Sequence, residues 1–319
     1  LILMARHKLR FIKLLIYLVS AGYLNTIIKS IYATPRPFLE FPEENLNLVC
    51  SKSLGSPSNH GLSGTAFYMG IYWLFIHNSQ ISKLKKIQSF LGLICIMFLV
   101  GLSRVFMGIH SYDQIVVGWA YGFYLLFVIV EYLDPYIDKG LKFVILRRIT
   151  KKEEILVALT FGLAGTIIIE ILLYMATADG AIYDKYLPIL MEKCGHVTYA
   201  FMEKHLISSF KVASLFFYLI GVTILPQRFP EVDLQTKFSR NLARVGVYMI
   251  ISFVLFKTLF LGYSPIIWVQ TLVIAMSYNA LLGFSVSFIL PILFEKIKLK
   301  KPNDFLEEEF DEDQASLKT

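Results

Sequence analysis

Three short polar segments interrupt the apolar first third of the sequence, and each contains residues that suit a phosphate site. The segments are KSIYATPRP, SPSNHG and SRVFMGIHSYDQ. Their chemically useful residues are Lys29, Arg36, Ser58, His60, Arg104 and His110. A guanidinium fork matches the geometry of phosphate oxygens, an ammonium adds a point charge, and a hydroxyl adds a neutral donor. Together these residue types predict a site for a phosphate group.

The two histidines add the means to break a phosphate ester. Their unperturbed pKa lies close to neutral pH, which suits proton transfer and nucleophilic attack. One imidazole can attack phosphorus to form a phosphohistidine, while the other protonates the leaving alkoxide. Cations around the phosphate stabilise its charge, so this chemistry needs no metal and no other cofactor. Backbone N–H groups at the start of a helix near Ser58 to Gly61 would also favour an anion.

The elements that position these residues are predicted to be membrane-spanning helices. The chain is 56% hydrophobic and only 17% charged, which is typical of membrane proteins. Eight segments approach the roughly 20 apolar residues that a bilayer requires. They are residues 11–29, 60–77, 87–108, 114–134, 154–176, 206–225, 243–262 and 266–294. We therefore expect an all-α polytopic membrane bundle of about eight transmembrane helices.

The distribution of basic residues predicts how this bundle is oriented. Five clusters of Lys and Arg lie before the first span and after the second, fourth, sixth and eighth, so all five fall on one face. The positive-inside rule assigns that face, with both termini, to the cytosol. The three polar segments then meet on the opposite face, towards a lumen or the cell exterior. The net charge of +7 is spread over these clusters rather than gathered in one patch, so we expect a membrane partner and no nucleic acid.

The chain divides into three predicted regions. Residues 1–135 form a core that contains all three polar segments, and residues 136–300 contribute further transmembrane helices. Residues 301–319 include the acidic run EEEFDED and are predicted to be a disordered tail.

The spacing of the polar segments resembles that of a known enzyme family. Lys29-x6-Arg36-Pro37, Pro57-Ser58-Asn59-His60 and Ser103-Arg104-x5-His110 are similar to the three signatures of the type 2 phosphatidic acid phosphatase superfamily. The resemblance implies that His110 is the nucleophile and His60 the general acid. It implies a phosphate-binding set of Lys29, Arg36, Ser58 and Arg104, with Asn59 close to the phosphate through its backbone.

One position departs from the family pattern. The acidic partner of the nucleophilic histidine usually lies four residues after it, and here that position is Gln114, with Asp113 one residue early. Either Asp113 reaches His110 through a shifted backbone, or Gln114 orients the imidazole with a neutral hydrogen bond. The second arrangement resembles that of glucose-6-phosphatases. The sequence leaves both alternatives open.

A narrower resemblance bears on the substrate. The stretches PSNHGLSGTA, SRVFMGIHS and CGHVTYAF are similar to those of sphingosine-1-phosphate phosphatases. This implies a sphingoid-base phosphate substrate, an endoplasmic reticulum location and a site that faces the lumen. A polyisoprenyl diphosphate or phosphatidic acid phosphatase is an alternative within the same class.

Two other classes compete with the enzyme. One is a degenerate family member that serves as a structural subunit of a membrane complex, for which Gln114 is the support. The other is a transporter, for which the support is three ionisable residues inside apolar runs, Glu170, Lys211 and Lys257. A homo-oligomer or a partner in a membrane complex is left open.

Overall fold

The computed structural model describes residues 8–41, 53–147 and 151–177, together with a few positions in 185–192, residues 215–220 and residue 281. The described residues are helical and contain no strand. The predicted spans 243–262 and 266–294 lie outside them except for residue 281, as does span 206–225 except for residues 215–220. The tail 301–319 also lies outside the described residues.

Seven α-helices account for most of the described chain. They are α1 Lys8–Tyr32, α2 Pro37–Glu40, α3 Asn59–Ile71, α4 Lys83–Phe106, α5 Tyr112–Val128, α6 Asp134–Arg147 and α7 Lys152–Thr177. Short π-helical segments, Tyr72–His77 and Ile129–Leu133, continue α3 and α5. The first five predicted spans fall on α1, α3, α4, α5 and α7, within a few residues at each end.

Three stretches among the described residues are long and apolar enough to cross a membrane. They are Ile12–Glu40, Lys83–Phe106 and Tyr112–Val144. The all-α class therefore holds for the described part of the chain, whereas the count of eight spans stays a prediction. Helix α3 is not one of the three, because it carries many small and polar residues. It lies at the centre of the bundle against α1, α4 and α5, so its surface faces protein more than lipid.

Helices α3 and α5 approach closely because glycines line their contact. A Cβ added at Gly118 would lie 2.8 Å from the carbonyl oxygen of Ser58, and one added at Gly122 would lie 2.6 Å from Cβ of Thr65. Small residues of this kind let helix backbones pack tightly in membranes. The approach brings the start of α3 against the start of α5, where the Ser58 N–H donates to the carbonyl of Gln114 at 2.9 Å.

Helix α4 presents an apolar face outward. Leu91, Leu99 and Phe106 are all exposed, whereas Met97 and Gly101 on the inner face are buried. An exposed apolar surface of this extent is costly in water and suits contact with lipid. The pattern agrees with placement of the bundle in a membrane.

A partly buried ionic cluster ties α1 to α6 at the end of the bundle opposite the three motifs. Lys13 Nζ lies 2.9 Å from Asp134 Oδ2 and 2.7 Å from Asp138 Oδ1. The hydroxyl of Tyr17 donates to Asp134 Oδ1 at 3.1 Å. Lys13 and Tyr17 are both buried, so this cluster compensates a charge that would otherwise be stranded inside the bundle.

Candidate active site

The three motifs predicted from the sequence converge at one end of the bundle. Lys29 lies in the last turn of α1 and Arg104 in the last turn of α4. Ser58 is the N-cap of α3, and His110 lies in the turn between α4 and α5. Because successive helices alternate in direction, the ends of α1 and α4 meet the starts of α3 and α5.

His110 is held in one orientation by Gln114. Gln114 Nε2 donates to the carbonyl of Pro35 at 2.9 Å, and Gln114 Oε1 lies 3.0 Å from His110 Nδ1. A carbonyl only accepts hydrogen bonds, so the amide NH₂ must face Pro35 and the amide oxygen must face the imidazole. His110 Nδ1 therefore carries the proton, and Nε2 carries the lone pair.

The position of Asp113 differs from that of Gln114. Gln114 is buried against His110, whereas Asp113 is exposed in the first turn of α5. A carboxylate there is favoured by the helix dipole, which gives Asp113 a structural reason to be present. Of the two alternatives that the sequence leaves open, the described contact to Nδ1 is that of Gln114.

The Gln114 amide bridges the Pro35 carbonyl and His110 Nδ1, and Gly55 makes room for this bridge. The sequence analysis did not identify Gly55. A Cβ at Gly55 would lie 2.3 Å from the carbonyl oxygen of Pro35 and 2.4 Å from Gln114 Nε2. Atoms at those distances overlap, so a side chain here would push the two bridge partners apart. Nothing in the sequence singles this glycine out, since the contact joins segments that are far apart along the chain.

Arg36 lies on the other side of His110, buried with 4% of its surface exposed. Its Nη1 lies 3.2 Å from His110 Nε2 and donates to the carbonyl of Ile109 at 2.9 Å. Because a guanidinium has donors only, Nε2 must be the acceptor, in agreement with the proton on Nδ1. Its Nε and Nη2 donate to the carbonyl and hydroxyl of Ser53, each at 2.5 Å. Ser53 is a second residue that the sequence analysis missed.

Lys29 joins α1 to the loop before α3. Its side chain is buried, and Nζ donates to the carbonyl of Leu54 and to that of Gly55 at 3.1 Å. The same loop is bonded to the segment after α1, because Gly55 N–H donates to the Thr34 carbonyl at 2.8 Å. Lys29 therefore places a buried positive charge beside His110 and helps to hold the loop.

The start of α3 carries the second motif. Ser58 is fully buried, and its Oγ accepts the Gly61 N–H at 3.4 Å as a helix cap. Asn59 accepts a hydrogen bond from Ser63 Oγ at 3.1 Å through its side-chain oxygen, which ties its side chain to the next turn of α3. His60 is exposed in the first turn, at the surface of the site.

Arg104 is tied through its backbone to the turn that contains His110. Its carbonyl accepts the N–H groups of Ile109 and His110, at 3.1 and 3.3 Å. Its Nε is buried and has no acceptor in the described part of the chain. A buried charged donor is normally paired, so an anion at this site would supply the acceptor that Nε lacks.

The electrostatic surroundings keep His110 neutral. Burial is the largest effect and lowers the pKa of His110 from 6.5 to about 2, with the charges of Arg36, Lys29 and His60 acting in the same direction. The hydrogen bond to Gln114 opposes this change in pKa. A neutral imidazole with its lone pair on Nε2 is the form that can attack an electrophile. No group of three His, Cys, Asp or Glu side chains suitable for a metal ion occurs among the described residues.

Comparisons with known proteins agree with the geometry. Residues 10–137 match the model of the PAP2 superfamily. The chain is 30% identical over 122 residues to "Sphingosine-1-phosphate phosphatase 1" of Mus musculus, a match that covers 38% of this chain and 27% of that protein. It is 32% identical over 118 residues to "Phosphatidylglycerophosphatase B" of Bacillus subtilis, covering 36% of this chain and 54% of that protein. The chain thus spans between about a quarter and a half of these relatives' length. No solved structure matches it significantly.

Proposed function

We propose that the PAP2 superfamily domain formed by residues 10–137 is a metal-independent phosphatase that hydrolyses a lipid phosphate monoester. One observation supports this most strongly. The Nε2 lone pair of His110 faces the buried guanidinium of Arg36, while Gln114 holds the proton on Nδ1. A phosphate placed beside Arg36 would present its phosphorus to the only lone pair of the imidazole.

The first step of the proposed reaction forms a phosphohistidine. His110 Nε2 attacks phosphorus, a P–N bond forms, and the P–O bond to the lipid breaks. His60, exposed at the start of α3, gives a proton to the leaving alkoxide. Arg36, Lys29 and Arg104 carry the positive charge that stabilises the phosphoryl oxygens.

The second step releases phosphate. His60, now neutral, takes a proton from a water molecule as that water attacks the phosphohistidine. The P–N bond breaks, the electron pair returns to Nε2, and inorganic phosphate leaves. Gln114 keeps the Nδ1 proton in place in both steps, so the imidazole returns to its starting tautomer.

The favoured substrate is a sphingoid-base phosphate such as sphingosine 1-phosphate. The name of the mouse relative supports this choice, and that of the bacterial relative supports a glycerophospholipid phosphate as a second candidate. The apolar stretches of α1, α4 and α5 support a site at the end of helices that could lie in a bilayer. A lipid anchored there would keep its phosphate at the surface and its chain beside the helices.

We also propose a topology and a location for the protein. The alternation of basic clusters supports cytosolic termini and a site on the opposite face. The resemblance to sphingosine-1-phosphate phosphatases supports the endoplasmic reticulum, with the site towards the lumen. Cysteine labelling from outside sealed microsomes tests this arrangement. A cysteine introduced at Lys85, exposed in the first turn of α4, should react, whereas Cys50 should react only after the membrane is opened.

A non-catalytic subunit is the competing function. Such a protein has no need for a buried arginine, a fixed imidazole tautomer and an Arg104 donor that lacks an acceptor among the described residues. The transporter alternative has no support among the described residues, because Lys211, Lys257 and the side chain of Glu170 lie outside them.

Phosphate release by the purified protein tests the proposed function. In detergent with EDTA, the wild type should release phosphate from at least one of sphingosine 1-phosphate, phosphatidic acid, phosphatidylglycerophosphate and dolichyl diphosphate. His110→Ala should lose this activity. His77→Ala should retain it, because His77 is exposed at the far end of the π-helical segment that continues α3. Equal inactivity of the wild type and His110→Ala on all four lipids would support the non-catalytic subunit instead.

A further inference from the structure

Arg36 is bonded to the protein through most of its guanidinium. Its hydrogen bonds to the Ser53 carbonyl, the Ser53 hydroxyl, the Ile109 carbonyl and His110 Nε2 use four of its five N–H groups. A side chain that binds phosphate by a bidentate fork needs two N–H groups on one edge. At least one of the four bonds must therefore be given up when Arg36 binds a phosphate oxygen.

The bond that must be given up is the one to His110. Nε2 cannot attack phosphorus while it accepts a hydrogen bond from Arg36. The other three bonds go to groups that take no part in the reaction, two of them on Ser53. The guanidinium is also buried, so a loss of its other acceptors would strand a charged donor away from water.

We propose that Ser53 is a positioning residue of this site. It holds the Arg36 guanidinium by two hydrogen bonds, so that one Nη1–H covers the His110 lone pair in this structure and passes to a phosphate oxygen during the reaction. The change is then a transfer of one hydrogen bond rather than a rotation of the side chain. This inference rests on the proposed function, because the Arg36 Nη1–H passes to an oxygen of the same substrate phosphate.

Three variants separate this role from a general effect on folding. Ser53→Ala removes the hydroxyl acceptor, Ser53→Cys replaces it with a weak acceptor of similar size, and Ser53→Thr keeps it. Ser56→Ala is the matched control, because Ser56 lies in the same loop and its contact with Thr34 is made by its backbone N–H. Thermal unfolding of each variant is measured alongside.

Vanadate is the probe, because it mimics a phosphoryl group and its binding does not require turnover. By equilibrium dialysis, we expect Ser53→Ala and Ser53→Cys to bind vanadate roughly tenfold more weakly than the wild type, the cost of one lost hydrogen bond to a charged donor. Ser53→Thr and Ser56→Ala should stay within about twofold. The unfolding temperatures should remain close to that of the wild type.

The outcomes distinguish this inference from the proposed function. If Ser53→Ala binds vanadate as tightly as Ser56→Ala, or if Ser53→Ala and Ser53→Cys both fail to fold, Ser53 is not a positioning residue. A wild type that binds vanadate but hydrolyses none of the lipids would contradict the proposed function and leave the Ser53 comparison valid. A wild type that binds no vanadate would overturn both.

Discussion

Gln114 Oε1 lies 3.0 Å from Nδ1 of His110, and the other end of the same amide donates to the Pro35 carbonyl. An amide can bridge two such groups because it has an acceptor at one end and a donor at the other. A carboxylate in the same place would turn an acceptor towards the carbonyl. The Pro35 carbonyl therefore suits a glutamine at position 114 better than an acid, the residue type usual there in the superfamily that the three motifs resemble.

The bridge predicts different results for the two neighbouring residues of α5. Gln114→Leu keeps the size of the side chain but frees Nδ1, so we expect kcat to fall roughly 10- to 100-fold as the imidazole loses its tautomer and orientation. Asp113→Ala should change kcat by less than about twofold, because Asp113 is exposed. Phosphate release under saturating substrate measures both. A larger loss in Asp113→Ala than in Gln114→Leu would contradict the orienting role of Gln114.

A larger side chain at Gly55 should disturb the same bridge by steric overlap. Gly55→Ala places a Cβ against the Pro35 carbonyl and the Gln114 amide, so we expect at least a tenfold loss of kcat and a loss of about 1–3 kcal/mol of stability. Gly92→Ala is the control, since an added Cβ there meets nothing within 4 Å and alanine favours the helix. Activity and thermal unfolding are compared in one detergent. Similar values for the two variants would mean that the loop yields without disturbing Gln114.

The lowered pKa of His110 predicts a dependence of stability on pH. The folded protein keeps His110 neutral down to about pH 2, whereas the unfolded chain binds a proton near pH 6.5. The contribution of neutral His110 to the free energy of unfolding is therefore fully present above pH 6.5. It is lost as the pH falls below 6.5, at up to about 1.4 kcal/mol per pH unit. Between pH 7.5 and pH 5, the unfolding temperature of His110→Gln should fall less than that of the wild type. Parallel curves would show that folded His110 binds its proton near the ordinary pKa.

A substitution in the ionic cluster at the end of the bundle opposite the three motifs should lower stability and leave the kinetic constants unchanged. Lys13→Ala leaves Asp134 and Asp138 without their cation, and we expect a loss of about 2 kcal/mol of stability. Lys83→Ala, at an exposed lysine that begins α4, should change stability by less than about 0.5 kcal/mol. The KM and kcat of folded Lys13→Ala should match those of the wild type below its unfolding temperature. A change in KM there would link this cluster to the proposed phosphate site.

The sequence by itself determined that the three motifs meet at one end of the bundle. Helical spans of ordinary length that alternate in direction bring the end of α1, the start of α3 and the turn before α5 to one face, whatever the details of their packing. The residue types Lys, Arg and His then limit the chemistry that this face can perform. The all-α class follows from the length of the apolar runs, because a helix bonds its own backbone inside a bilayer.

Only the tertiary structure decided how those residues are held. Asp113 and Gln114 are adjacent in sequence but lie about 100° apart around α5, so their facing depends on how α5 packs against α3. Gly118 and Gly122 determine that packing by letting the two backbones approach. Ser53 and Gly55 reach Arg36 and Gln114 only because residues 53–55 lie beside residues 34–36. Such contacts depend on how separate segments pack in space, which the spacing of residues along the chain does not encode.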